Sequence, residues 1–116
     1  MTAKEILTEA DITRPNLVQL NRKLDWLYSI EKQIADHMSR YGESDAAADE
    51  MTEQTELLLP REHKDIYIYY IVCMTDLANQ DIAMYNNSCA YFNGLFESWQ
   101  KKWRREHLPS PQKEVK

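Results

Sequence analysis

Glycine and proline are scarce in this chain of 116 residues, with two of the first and four of the second. A fold built on tight β-turns needs more of both, because a backbone angle φ > 0 is costly for other residues. Cysteine is scarce too: Cys73 and Cys89 are the only two, which excludes a disulfide framework, and both fall within helical periodicity as buried free thiols. No run approaches the ~18 apolar residues of a membrane span, and MTAKEILTEAD has charges where a signal peptide would place its apolar core. A cytoplasmic place of synthesis without membrane contact is the expectation. Excess positive charge is also missing, since the net charge is -5, which argues against binding driven by phosphate contacts.

Catalytic and metal-binding patterns are absent as well. His37, His63 and His107 are far apart, with no His-x3-His or Cys-x2-Cys spacing, no glycine-rich phosphate loop and no nucleophile motif. Glu31, Asp36, Asp76 and Asp81 occur singly and read as charges on solvated helix faces, not as the paired ligands of a di-iron bundle. We therefore expect no enzyme, no cofactor and no metal, and a role in binding and assembly.

What is present is helical. With 43% hydrophobic and 28% charged residues, the composition is globular, and the length suits one domain over 1–107 with a flexible tail at 108–116. Thr2 and Glu5 form a capping box that opens a short helix over about 2–10. Pro15 interrupts it and Asn16 is a good N-cap, so a second helix is expected over about 16–41. Its apolar face is Leu17, Leu20, Leu24, Leu27, Ile30, Ile34, Met38 and Tyr41, and Gly42 provides the stop.

Residues 43–59 read as an acidic loop. Glu43, Asp45, Asp49, Glu50, Glu53 and Glu56 carry six of the nineteen acids with no Lys or Arg between them. The plain reading is a mobile connection, and the functional one a surface that repels DNA or meets a basic partner. Pro60 then opens a helix over about 61–106 with the stripe Tyr67, Ile71, Met74, Ala78, Ile82, Tyr85, Cys89, Phe92, Phe96, Trp99 and Trp103. A single helix of that span would be about 69 Å long, so it must project, kink or split, and Asn79 to Ser88 hold the poor helix formers where that would happen. Lys101, Lys102, Arg104, Arg105 and His107 complement its C-terminal dipole.

Within this helix IYIYYIVCM, residues 66–74, is apolar or aromatic on every side. Such a helix is normally buried all round. Either it is an ordinary central core helix, or part of its surface meets another subunit. The candidate interface is Tyr67, Tyr69, Tyr70 and Met74, with Trp99, Trp103, Leu108 and Pro109 toward the end of the chain.

The stretches TELLLP (55–60), DIYIYYIVCMTDLAN (65–79), YNNSCAYFN (85–93) and WRREHLP (103–109) resemble small proteins of the structural-gene clusters of long-tailed phages and prophages of Gram-positive bacteria. The N-terminal part agrees more loosely, through Arg14-Pro15-Asn16 and Lys23 to Leu27. Those proteins look like head-to-tail adaptors. The resemblance implies a homo-oligomer, a twelve-fold ring in the virion neck, bound to the portal protein and to a head-closure or tail-side neck protein. DNA would pass through without specific binding, and the acidic segment, from Glu43 to Glu56, would face that channel. The chain departs from the pattern with Gln80 in place of an expected glycine, Cys89 in place of methionine, and a Lys/Arg-rich approach to His107. The first departure bears on whether a turn forms near position 80. The competing reading is a non-virion helical binding module, such as an assembly chaperone or small regulator.

Overall fold

The computed structural model describes residues 1–41 and 49–107. Glu43, Asp45, Leu108 and Pro109, all named above as candidates, lie outside the described residues. The architecture is all-helical: α1 Ala3–Thr13, α2 Leu20–Arg40, a 3-10 turn Arg61–His63, α3 Lys64–Ala78 and α4 Ile82–His107. Among the described residues the nearest thing to a strand is one isolated bridge, Thr2 to Glu56.

The first helix starts where the sequence predicts. Thr2 accepts from the Glu5 amide while the Glu5 side chain takes the Thr2 amide. It ends at Thr13 rather than near Ala10. Pro15 restricts only the residue before it, so Arg14 alone is driven to an extended conformation.

The start of α2 also differs. The helix opens at Leu20 behind Gln19, not at Asn16. The Asn16 side chain holds the linker instead, donating to Asp11 and to the Arg14 carbonyl and accepting from the Val18 amide at 3.0 Å. That local loop competes with helix formation, as Asn side chains do. Leu17, expected on the apolar face, is consequently 101% exposed, and Leu20 is exposed as well. From Leu27 on the expected face holds, with Leu27, Ile30, Ile34 and Met38 all buried.

The long C-terminal helix is split. α3 stops at Ala78, Asn79 and Asp81 flank the reversal, and Gln80 takes φ 59. The chain therefore turns at position 80 despite lacking the glycine that resists this conformation least. The Gln80 amide bonds to the Leu77 carbonyl, the Asp81 amide to Asp76, and the Asp81 carboxylate caps the Met84 amide at 3.1 Å. The two helices then run antiparallel, because Asp76 meets Ser88, Tyr70 meets Phe92 and Tyr69 meets Tyr91.

Folding α4 back explains the helix that is apolar all round. α3 is the central element, packed against α1, α2 and α4. Ile66, Tyr67, Ile68, Ile71, Val72 and Cys73 are all buried within the chain itself. For these residues the reading of an ordinary central core helix holds, while Tyr69, Tyr70 and Met74 keep part of their surface exposed.

The segment before α3 is not a free loop either. The Ala3 and Lys4 amides, which no turn of α1 can satisfy, donate to the carbonyls of Thr55 and Glu53, each at 2.9 Å. Leu57 and Leu59 are buried, and Met51 and Leu58 pack at the rim of the core. Residues 53–57 of the acidic segment thus cap α1 through their main chain, while Asp49, Glu50 and Glu56 are exposed.

Two carboxylates read as solvated are in fact buried, Glu31 at 1% and Asp76 at 2% exposure. Glu31 accepts the Tyr67 hydroxyl and the Leu58 amide, while the Tyr67 oxygen accepts the Leu59 amide at 3.1 Å. Burial pushes the Glu31 carboxyl above its ordinary range, with the two hydrogen bonds opposing.

Two outcomes follow from this architecture. Gln80→Gly should raise stability by about 0.5–1 kcal/mol, read as a higher urea midpoint with unchanged slope; a lower midpoint would mean that the turn gains more from the Gln80 side chain than from relief of its backbone. Tyr67→Phe should cost about 1–3 kcal/mol, because it strands the Leu59 amide and one Glu31 oxygen. The Glu31 carboxyl holds its proton more tightly folded than unfolded, so its contribution is full below the ordinary carboxylate range and is lost as pH rises through the raised folded value. Removing the tyrosine donor raises that value further, so the deficit of Tyr67→Phe should grow as pH rises above the ordinary carboxylate range. A deficit independent of pH would show that Glu31 does not titrate with folding.

Candidate interaction surface

Five of the exposed large apolar side chains belong to the helix ends and the linker at one pole of the bundle, while the sixth, Tyr91, stands along the α3–α4 hairpin. Four chain ends meet there: the last turn of α1, the first of α2, the last of α3 and the first of α4. Arg14 ties them, its guanidinium 2.8 Å from one Asp76 oxygen and 3.2 Å from the other, and Ser88 of α4 donates to the same carboxylate at 2.8 Å. One buried acid thus anchors the α1–α2 linker and α4 to α3. Beside it Leu17, Val18, Gln19 and Arg22 form a cleft with Ala78 and Asn79.

Around this anchor large apolar side chains are exposed among polar ones such as Arg22, Asn79 and Asp81. Ile12 is 75% exposed, Leu17 fully so, Ile82 60%, and Leu20 and Leu77 42% each. Single exposed apolar side chains need no explanation, but five large ones at the ends of four adjoining helices do. The sequence held the signal in part. Leu17 and Ile82 stand in the expected apolar stripes, and only the exact start of α2 and the break at 79–81 turn them outward.

The predicted interface residues fall into three groups. Tyr67 and Trp99 are core residues, at 0% and 4% exposure, so neither presents a surface and that assignment is corrected. Tyr69, Tyr70 and Met74 are half-buried against the core. Tyr69 stands edge-on to the exposed Tyr91 at 4.6 Å, which forms an aromatic flank along the α3–α4 hairpin. Trp103 is half-buried at the far end of α4, last in a series of rings Phe92, Phe96, Trp99 and Trp103 spaced 5.4 to 5.9 Å apart.

Of the acidic candidates, Asp49, Glu50 and Glu56 are exposed, and Glu56 pairs with the Met1 amine. Glu53 is half-buried, and its carbonyl accepts the Lys4 amide. Sequence reasoning missed His37, buried at 6% with Nε2 3.1 Å from the Gln100 carbonyl and its ring between Tyr41 and Trp99. An isolated histidine in a helical stripe carries no spacing from which such a role could be read.

Cys73 is buried and Cys89 half-buried, both free. Burial, and then the neighbouring Cys89, push the Cys73 thiol up to about 12, far from the range of a reactive thiol. Among the described residues no group of three or more His, Cys, Asp or Glu could hold a metal ion, and no helix is long and apolar enough to cross a membrane. Comparison with protein-family models, with curated proteins and with solved structures finds no match for this chain.

Asp76→Ala should cost about 2–3 kcal/mol, since it leaves Arg14 and Ser88 without their shared acceptor. The α1–α2 linker should loosen first, seen as faster amide exchange at Val18 than in the core of α3. Equal loss of protection throughout would place the anchor in the global fold rather than at the pole.

Proposed function

We propose that this chain is a structural phage protein, a head-to-tail adaptor subunit that joins its copies in a ring beneath the portal and extends the DNA channel toward the tail. The observation that carries the reading is the apolar pole, where Ile12, Leu17, Leu20, Leu77 and Ile82 are exposed next to a rigid ion-pair anchor. A subunit of a cyclic ring needs two different surfaces, one for each neighbour. The pole and the aromatic flank of Tyr69 and Tyr91 are two such surfaces on one small body. A third requirement is a side that does not hold DNA, and the outward carboxylates of Asp49, Glu50 and Glu56 suit it, because like charge prevents the contacts that create affinity. The partners on this reading are further copies of the chain, the portal protein, and a head-closure or tail-side neck protein, in the virion neck assembled within a bacterial cytoplasm. The resemblance in TELLLP, YNNSCAYFN and WRREHLP points the same way.

Quantitative mass spectrometry of purified tailed particles tests it. The chain should be present at a ratio near one to the portal protein. Absence from the particle sinks the adaptor and leaves an assembly chaperone or regulator. A double substitution Leu17→Asp with Ile82→Asp should keep full helicity by circular dichroism, since both side chains already face solvent, yet leave heads without tails. Normal particles from that variant would remove the pole from the assembly surface.

A further inference from the structure

The α3–α4 hairpin brings two thiols to the same level. On α3, Cys73 is three residues from Tyr70 and three from Asp76, so it shares a helix face with each. Those two neighbours meet α4 at Phe92, with ring centres 5.2 Å apart, and at Ser88, 2.8 Å away. Cys89 follows Ser88 directly and precedes Phe92 by three residues. It therefore stands on α4 opposite Cys73, between two contacts that fix the register of the hairpin. Cys73 is buried at 4% exposure and Cys89 is half-buried.

The surroundings of the two sulfurs differ. The Asn93 side-chain amide, one turn further along α4, donates to the Cys89 sulfur at 3.6 Å. Tyr85, one turn earlier on the same face, is close enough that Cys89, and Cys73 after it, push its hydroxyl above the ordinary value. Donors to a sulfur favour the thiolate, which is the form that attacks a disulfide. Cys73 is instead enclosed, and burial keeps its proton on. One thiol is thus reachable and hydrogen-bonded, while the other is shielded and placed to act only on its neighbour.

We infer that Cys89 is a thiol–disulfide exchange site for small disulfides of the glutathione class, and that Cys73 resolves the adduct into an internal Cys73–Cys89 bridge. In the first step the Cys89 sulfur, its proton given to solvent, attacks one sulfur of the small disulfide. That S–S bond breaks, and the first small thiol leaves with a proton from solvent. In the second step the Cys73 sulfur attacks the Cys89 sulfur, the mixed S–S bond breaks, and the second small thiol leaves with the proton that Cys73 loses. Two protein thiols are oxidised to one disulfide, and one small disulfide is reduced to two thiols. The bridge encloses residues 74–88, and with them the turn at Gln80 and the exposed Leu77 and Ile82. The inference is independent of the phage reading, since it concerns the free chain.

Intact mass spectrometry of the full chain, incubated with oxidised glutathione under native conditions and quenched with acid, tests it. The unsubstituted chain should pass to a product lacking two hydrogens, with Cys73 and Cys89 joined in one peptide pair after digestion, and dithiothreitol should restore the starting mass. The bridged form should keep its helicity, and at a given urea concentration its unfolded-to-folded ratio should fall by about a hundredfold, because the unfolded chain loses the freedom of that loop. Cys73→Ser should halt at a chain carrying one glutathione, and Cys89→Ser should not react. A glutathione adduct that persists on the unsubstituted chain overturns the inference, since the backbones then stand further apart than the roughly 4.4–6.8 Å between Cα atoms that a disulfide requires. A chain that stays unreacted, a disulfide joining two chains, or a bridge that forms only in unfolding concentrations of urea overturns it as well. The unsubstituted chain alone decides among these outcomes.

Discussion

The arrangement of the whole chain depends on one buried carboxylate. Glu31 projects from α2 and meets the hydroxyl of Tyr67 from α3 and the amide of Leu58 from the segment between them. Tyr67 in turn takes the Leu59 amide. Four groups that cannot be left unpaired in an apolar interior thus satisfy one another, and no other register of α2 against α3 would do so. The core around them, Ile30, Ile34, Leu57 and Ile71, is non-directional and would accept several slides of one helix along another. The polar cluster selects one of them. It also fixes Leu57 and Leu59 in the core, and through the main chain of residues 53–57 it places the carbonyls that cap α1.

Asp76 does at the other end what Glu31 does in the middle, but with a charged partner. Arg14 supplies a guanidinium that the Glu31 site lacks, so there the acid is compensated by charge and at Glu31 by neutral donors alone. At Glu31, where no cation stands beside the acid, burial pushes the carboxyl above its ordinary range. Both acids tie together elements that are distant in sequence. Both were read from the sequence as ordinary charges on a solvated face.

The legibility of this chain follows from the range of the forces involved. Helix content, the capping box at Thr2, the stop near Tyr41 and the period-3.6 stripe come from interactions within a few residues, and those were readable. The break at 79–81 was readable only as a region of weak helix formers, because the unbroken stripe from Tyr67 to Trp103 carries no mark of a reversal. A stripe that keeps phase through a hairpin occurs when both arms face the same core, as Ile71 and Phe92 do here. The sequence period cannot distinguish that from one straight helix. Tyr67 is met by Glu31 of α2 and by Leu59, and α4 folded back supplies ring partners for Tyr69 and Tyr70, so much of the aromatic surplus that suggested a partner is met inside the chain.

The same folding-back determines where a partner has room. Pairing α4 against α3 brings Tyr69 to Tyr91 and Tyr70 to Phe92, and leaves uncovered the outer side of Tyr91 together with surface beyond the paired length at each end. At the turn end that remainder is the apolar pole, with Leu17 turned out by the Asn16 loop and Ile82 by the first turn of α4. At the far end it is a groove between Trp103 and Leu58 to Pro60, which exists because α4, 26 residues long, overruns the 15 of α3. The difference in length between the two paired helices therefore generates the far surface, and the loop at Asn16 with the turn at Gln80 generates the pole. One stands beside the anchor at Asp76 and the other along the last described turns of α4.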